Sequence, residues 1–199
     1  MTAPPPRTRP AINRRTFEVR RPHLNPQSPL RQVQPHIAPL TEADWPAVAR
    51  IYQAGIDAGD ATFEHVVPSW ETWSQARIAE PRLVARDESG EVLGWAALSP
   101  TSTRAVYRGV AEVSVYVAPA VARRGIGRAL LQALIEQSER AGFWTLTAGI
   151  FPENAASVAL HAGCGFELVG VRRHIGQMVD GRWRDVALYE RRSLVVGPR

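Results

Sequence analysis

The chain has no lysine; all 24 of its lysine-plus-arginine side chains are arginine. That excludes catalysis through a lysine Schiff base, and it excludes a Walker-type phosphate loop, which needs its lysine. There is one cysteine, Cys164, so neither an internal disulfide framework nor a cysteine-built zinc or iron–sulfur centre is possible. Apolar runs fall far short of the ~20 residues that cross a bilayer. No early strand–GxGxxG–helix unit is followed by an acid, which argues against a Rossmann dinucleotide fold. What is present, 45% hydrophobic and 22% charged residues over 199, suits one globular domain with a real core, plus a tail.

The net charge of +5 alone suggests a nucleic-acid partner. Its distribution argues otherwise. Residues 1–36 hold seven of the 24 arginines against a single acid, Glu18, so the rest of the chain carries 17 arginines against 18 acids. The basic charge is therefore a tail, not a face, and no specific nucleic-acid partner is expected. The same segment holds eight prolines, which cannot propagate helix or central strand. Residues 1–35 are read as a Pro/Arg-rich disordered extension. A functionless extension, a docking tail for an anionic surface and a targeting peptide are the open readings. There is no apolar segment for secretion, and the prolines spoil an amphipathic transit helix. A folded domain is expected over 36–192 and a short tail over 193–199, with no membrane partner.

Within the folded part, residues 36–40 read as extended. Thr41 to Asp44 resembles a capping box, and Trp45, Val48, Ala49 and Tyr52 give a helix over about 42–55 that Gly55 and Gly59 break. Ser69 caps a second helix, about 70–79, before Pro81. Strands at 83–86 and 92–98 flank the turn around Asp87 to Gly90. A third strand runs over 110–117, with Glu112, Ser114 and Tyr116 on one face and Val113, Val115 and Val117 on the other. A leucine-striped helix over 125–140 follows, then a strand over 143–150, a short helix over 155–162, and strands over 166–176 and 183–190 joined at Asp180-Gly181. That order gives a mixed α/β sheet with helices on both faces.

The sharpest local feature is Ala122-Arg-Arg-Gly-Ile-Gly-Arg128, set between a strand and a helix. Bare glycines let a phosphate approach the main chain, and the first-turn amides of a helix point at it. Arg123, Arg124 and Arg128 can add charge-assisted hydrogen bonds. A tight turn with solvated arginines is the bland alternative.

Val113-Ser-Val-Tyr-Val117, Pro119, the 123–128 loop and the helix after it resemble the acetyl-CoA signature of the GCN5-related N-acetyltransferase (GNAT) superfamily. Gly149-Ile-Phe-Pro-Glu-Asn154, Ser157, Leu160-His161 and Gly165-Phe166 are similar to its second half. Within it, Ala61-Thr-Phe-Glu64, Ala105-Val-Tyr107, Glu112, His161 and Gly181-Arg-Trp-Arg-Asp185 resemble the phosphinothricin and methionine sulfoximine acetyltransferase group. The family's loop usually begins with Gln or Arg where Ala122 stands.

The resemblance implies a mostly antiparallel twisted sheet with a splay between its two central strands. It implies acetyl-CoA as donor and no metal. Cofactor contacts would come from Val115, Tyr116, Val117, Arg123, Arg124, Gly125, Ile126, Gly127, Arg128, Asn154 and Ser157. Glu112 is the expected general base, although a solvated or salt-bridged strand glutamate is the plain alternative. His161 stands where many relatives carry a tyrosine that protonates the departing thiolate. An imidazolium donor, a neutral ring orienting water and a satisfied core histidine all remain open. Phe63 and Tyr107 are expected to line the acceptor pocket, with a packed loop anchor the plain alternative for each, and Trp183 to form its far wall or a dimer seam. Arg77, Arg82, Arg104 or Arg108 would pair with an acceptor anion. Cys164 lacks a base nearby and is not expected to act as a nucleophile.

The implied reaction is direct acetylation of the primary amine of a small amino acid or analogue, of the phosphinothricin, methionine sulfoximine or methionine sulfone type. The alternatives are a protein or peptide N-terminal acetyltransferase and a non-catalytic acetyl-CoA sensor. A homodimer and a cytoplasmic location are expected.

Overall fold

Seven strands form one sheet in the order β1-β2-β3-β4-β5-β7-β6, in a computed structural model that describes residues 35–197. The strands are β1 (His36–Pro39), β2 (Arg82–Arg86), β3 (Val92–Pro100), β4 (Val110–Val117), β5 (Thr145–Ile150), β6 (Glu167–Gln177) and β7 (Trp183–Arg192). Every neighbouring pair is antiparallel except β4–β5. The expected Pro/Arg-rich extension lies outside the described residues apart from Pro35.

Helices α1 (Trp45–Ala58) and α2 (Trp70–Gln75) cover one face, and α3 (Ile126–Arg140) with α4 (Ala155–Ala162) covers the other. Sequence periodicity explains the two cores. The α3 stripe of Leu130, Leu131, Leu134 and Ile135 packs on Leu83, Leu98, Val113 and Leu146. The α1 stripe of Val48, Ile51 and Tyr52 packs with Trp73, Val84 and Trp95. Full burial of one such leucine side chain stabilises by roughly 1.5–3 kcal/mol relative to exposure. Residues alternate between the faces along β4: Val113, Val115 and Val117 meet the α3 core while Tyr116 meets the α1 core.

Several boundaries depart from the sequence reading, and those of α1, α2 and β5 have identifiable causes. Helix α1 passes through Gly55 and ends at Gly59, whose φ of 74° provides the left-handed stop. It is preceded by a 3₁₀ turn, Glu42–Asp44, inside the Thr41–Asp44 capping box; Asp44 also pairs with Arg86 of β2. Helix α2 stops at Gln75, not 79. The Ile78 N–H donates to Leu98 O at 2.8 Å, and the Arg82 guanidinium takes the carbonyls of Ser74, Arg77 and Ile78, so tertiary partners outbid the helical ladder. Strand β5 begins at Thr145, because Phe143 still bonds back to Ser138 of α3.

Candidate active site

The one parallel pairing is short. Strand β4 meets β5 only at Val110, Ala111 and Glu112, opposite Thr145, Leu146 and Thr147. Beyond Glu112 the two strands part, while β4 stays paired with β3 through Val117. Which way the freed main chain points follows from alternation. The Ala118 N–H donates to Leu93 O on β3, and Gly109 O accepts from Trp144 and Thr145 at the β5 side. Odd-numbered β4 residues therefore turn their peptide groups toward β5. Val115 and Val117 aim amides and carbonyls into the gap, whereas Tyr116 turns its main chain to β3.

The gap opens into a cleft of about 900 Å³. At one end lies the start of α3. Gly125 caps that helix at φ 87°, a conformation natural to glycine and strained for other residues, and Arg123 also has positive φ, 61°. The helical ladder begins with Ala129 N–H to Gly125 O at 3.0 Å, and no side chain caps the terminus. The amides of Ile126, Gly127 and Arg128 are left bare, with the positive end of the helix dipole behind them. A Cβ on Gly125 would meet nothing within 4 Å, so the mouth is open. Gly127 has a different reason: a Cβ there would stand 3.2 Å from Leu160 of α4. Arg123 lines the cleft, and Arg128 lines it while donating to Gly163 O at 3.4 Å. Bare amides, positive dipole and uncommitted arginine fit a diphosphate, and the gap beyond fits the acyl-carrying arm of acetyl-CoA.

At the parting of β4 and β5 the Glu112 side chain enters the cleft. Among the described residues its carboxylate has no hydrogen-bond or ion-pair partner. Directly across β3–β4, Ser99 is its register partner. The Ser99 hydroxyl accepts from Arg77 Nη1 at 2.7 Å. Paired residues on one sheet face hold their Cβ atoms ~5 Å apart, so cation and carboxylate flank Ser99 without joining. Arg77 also lies over Trp73, 5.6 Å from its ring centroid. Tyr116 stacks on Trp95 at 4.7 Å and meets Tyr52 edge-on at 4.9 Å. Burial raises the pKa of both tyrosine hydroxyls from its ordinary value, so they remain protonated beside Thr62.

Helix α4 forms the opposite wall. Asn154 caps it: Oδ1 accepts from Ser157 N–H at 3.0 Å, and Nδ2 donates to Asp60 O at 3.1 Å. His161 is buried, and its Nδ1 lies 2.8 Å from Ser157 O. A carbonyl only accepts, so Nδ1 carries the proton, and Nε2 is an acceptor when the ring is neutral. Burial lowers the pKa from its ordinary 6.5, against the raising effect of that hydrogen bond, and so favours the neutral ring. Phe166 meets the ring edge-on at 5.1 Å.

Of the predicted residues, Phe63 and all the others just described line the cleft. Arg124, Tyr107 and Trp183 do not. Tyr107 is exposed on a 3₁₀ turn, Ala105–Tyr107, under the Arg104 guanidinium at 5.7 Å. Trp183 is 57% exposed and lines an adjoining cavity of about 690 Å³ with His174 and Arg182, which shares Ala58 and Asp60 with the cleft. Among the four candidate anion partners only Arg77 reaches the cleft. Arg82 is clamped by Ser74, Arg77 and Ile78, and Arg108 stacks on Trp144. Burial raises the Cys164 pKa, despite Arg128 and Arg191 nearby, which suits a packing thiol. Sequence reasoning missed Tyr52, Ser99 and Phe151. Only the alternation of the β3 strand carried a signal for Ser99. Among the described residues no group of three His, Cys, Asp or Glu side chains is placed to hold a metal, and no helix is long and apolar enough to cross a membrane.

A splayed parallel pair, a bare helix start and an uncommitted carboxylate at the fork define an acyl-CoA-dependent transferase site. The chain belongs to the acetyltransferase (GNAT) family, whose model matches residues 45–166. It is 39% identical over 159 residues to the phosphinothricin N-acetyltransferase of Alcaligenes faecalis, covering 76% of this chain and 79% of that one. It is 36% identical over 153 residues to the L-methionine sulfoximine/L-methionine sulfone acetyltransferase of Pseudomonas paraeruginosa, covering 74% and 88%. Among solved structures, a phosphinothricin acetyltransferase of Sinorhizobium meliloti in complex with AcCoA matches with TM-score 0.74 at 32% identity, over 83% of this chain and 93% of that one. A ribosomal-protein-alanine N-acetyltransferase from Brucella melitensis matches equally, TM-score 0.74 at 37% identity, over 79% and 99%. The protein is an acetyl-CoA-dependent N-acetyltransferase of this fold.

Proposed function

We propose that the acceptor is the α-amino group of a small amino acid or analogue, of the phosphinothricin, methionine sulfoximine or methionine sulfone kind. One observation carries this: Arg77 and Glu112 flank Ser99 on the same sheet face, unpaired with each other. A zwitterion fits such a pair, its carboxylate on the guanidinium and its ammonium toward Glu112. The named activities of the two relatives agree with that chemistry.

Bound acetyl-CoA supplies an acetyl group activated as a thioester. The chain does the rest. Amides of Ile126 to Arg128 and the Arg123 side chain hold the diphosphate. Main-chain donors of Val115 and Val117 orient the arm and polarise the acyl carbonyl. Glu112 takes a proton from the ammonium, directly or through a water, because only the neutral amine attacks. His161, neutral and tethered to Ser157 O, keeps Nε2 available to a water. Phe63 closes the acceptor side.

The test is thiol release from acetyl-CoA with a panel of amino acids, phosphinothricin, methionine sulfone, polyamines and peptides. Turnover confined to free amino acids and their analogues is expected. Turnover on peptides alone would replace this reading with N-terminal protein acetylation.

The homodimer belongs to the same proposal. Strand β6 is a sheet edge exposed over most of its length, with Leu168, Val169, Val171 and Ile175 each about half exposed or more. An apolar edge strand of that length is covered in stable proteins, and a second copy is the occupant proposed. Light scattering should give twice the chain mass. A cytoplasmic location fits the supply of acetyl-CoA, and cell fractionation tests it.

A further inference from the structure

The segment between α1 and α2 carries Thr62, Phe63 and Glu64 into the acceptor side of the cleft. Among the described residues, no backbone–backbone hydrogen bond engages residues 60–68. The turn at Glu64 N–H to Thr62 Oγ1 is local. Two side chains from elsewhere in the fold hold its main chain instead. Asn154 donates to Asp60 O at 3.1 Å, and Arg184 of β7 donates from Nη1 to Gly59 O at 3.0 Å. Arg184 does more than tether. Its side chain is 10% exposed, Nη2 meets Glu153 Oε2 at 3.2 Å, and its Cζ sits 4.1 Å over the Phe151 ring. Phe151 in turn meets Phe63 edge-on at 4.9 Å, 84° between planes. Phe63 rests on β6 where Gly176 leaves room; a Cβ there would come within 2.5 Å of the ring.

We infer that Arg184 is a positioning residue for the acceptor wall, setting acceptor affinity through loop 59–64 and the Phe151–Phe63 pair without touching the substrate. It belongs to the Gly181-Arg-Trp-Arg-Asp185 run. The inference rests on the proposed amino-acid acceptor for its kinetic consequence only. Its physical basis is chemical economy: one planar guanidinium donates to a carbonyl, pairs with a carboxylate and stacks on a ring at once. Lysine offers a point charge and cannot do all three. Glu153 holds the guanidinium in register, and its own carboxyl is held below the ordinary range, first by a backbone hydrogen bond and then by Arg184.

Two readouts on the full chain test this. The first is the backbone ¹⁵N heteronuclear NOE of residues 59–64, in wild type, Arg184→Met, Arg184→Lys and Glu153→Gln; it reads main-chain mobility directly, as the clamp holds the carbonyls of Gly59 and Asp60 and not the loop's amides. Greater mobility confined to that loop is expected, largest in Arg184→Met and smallest in Glu153→Gln. The second is steady-state kinetics: the acceptor KM rises about tenfold in Arg184→Met while kcat and the acetyl-CoA KM stay within about twofold, a misplacement of binding and not of chemistry. Should Arg184→Met not fold, Arg184→Lys and Glu153→Gln carry both readouts. Unchanged mobility in 59–64, or a parallel rise of both KM values, would overturn the positioning role. If wild type turns over no amino acid, the acceptor proposal fails while the mobility series still decides the inference.

Discussion

The two ends of the cleft are built by different means. The end proposed for the cofactor is main chain: amides of α3's first turn and peptide groups of Val115 and Val117. The acceptor end is side chain: Arg77 on Ser99, Tyr52 against Tyr116, Phe63 against Phe151, each joining distant segments. The first is fixed by backbone geometry, to which the short side chain at Ala122 contributes nothing. The second depends on which side chains happen to meet. Acceptor choice can therefore diverge on an unchanged cofactor platform.

Glu112 stands where the two ends meet, so its loss should have the largest effect. Glu112→Gln is expected to lower kcat by about 100-fold or more at neutral pH, the range for a general base, while CoA still binds. Steady-state kinetics with calorimetric titration of CoA measure both, and an unchanged kcat would remove Glu112 from the chemistry. At the cofactor end, Gly125→Val forces a branched residue into φ 87°. A strain of about 1–2 kcal/mol corresponds to roughly tenfold weaker CoA binding, with acceptor preference unaltered. Titration giving wild-type affinity would remove the bare-amide cradle. At the acceptor end, Arg77→Met should raise the KM for amino acids about tenfold, the worth of a charge-assisted hydrogen bond. Amines lacking a carboxylate should be indifferent to it; equal losses on both would break the zwitterion assignment.

The smallest effect is on stability and concerns His161. Its folded pKa is lowered below 6.5, so the unfolded chain binds the extra proton more readily. Its contribution is full above pH 6.5 and falls as pH drops through the folded value. His161→Asn keeps a donor near the Nδ1 position and cannot titrate. Urea denaturation at pH 7.5 and pH 5 should show a larger loss for wild type than for the variant. Asp44, with its pKa lowered below 3.8 by Thr41 and Arg86 against the opposing effect of burial, acts in a more acidic window and does not confuse the comparison.

The cofactor end was legible in the sequence because its signals are local. The glycine spacing at 125–127, the preceding valine alternation and the leucine stripe of α3 all lie within 30 residues, and they fix strand, turn and helix by short-range rules. Even there one constraint was out of reach: a Cβ on Gly127 would stand 3.2 Å from Leu160, 33 positions away. The acceptor end was legible only in part. Phe63 and Glu112, named from the sequence, line the cleft, as does Arg77, one of four candidates; Tyr107 and Trp183 lie outside it. No local pattern distinguishes Arg77, bonded to Ser99, from Arg82, locked by three carbonyls.

The order of strands and helices, the glycine-capped start of α3, and the face of Glu112 were settled by the chain alone, because dihedral preference and apolar period act over a few residues. The register that opens the fork between β4 and β5, which only the family resemblance implied, the burial of His161, the span from Arg77 to Glu112 and the clamp of Arg184 on loop 59–64 were decided by packing. Burial, long-range hydrogen bonds and stacking exist only once distant segments are brought together.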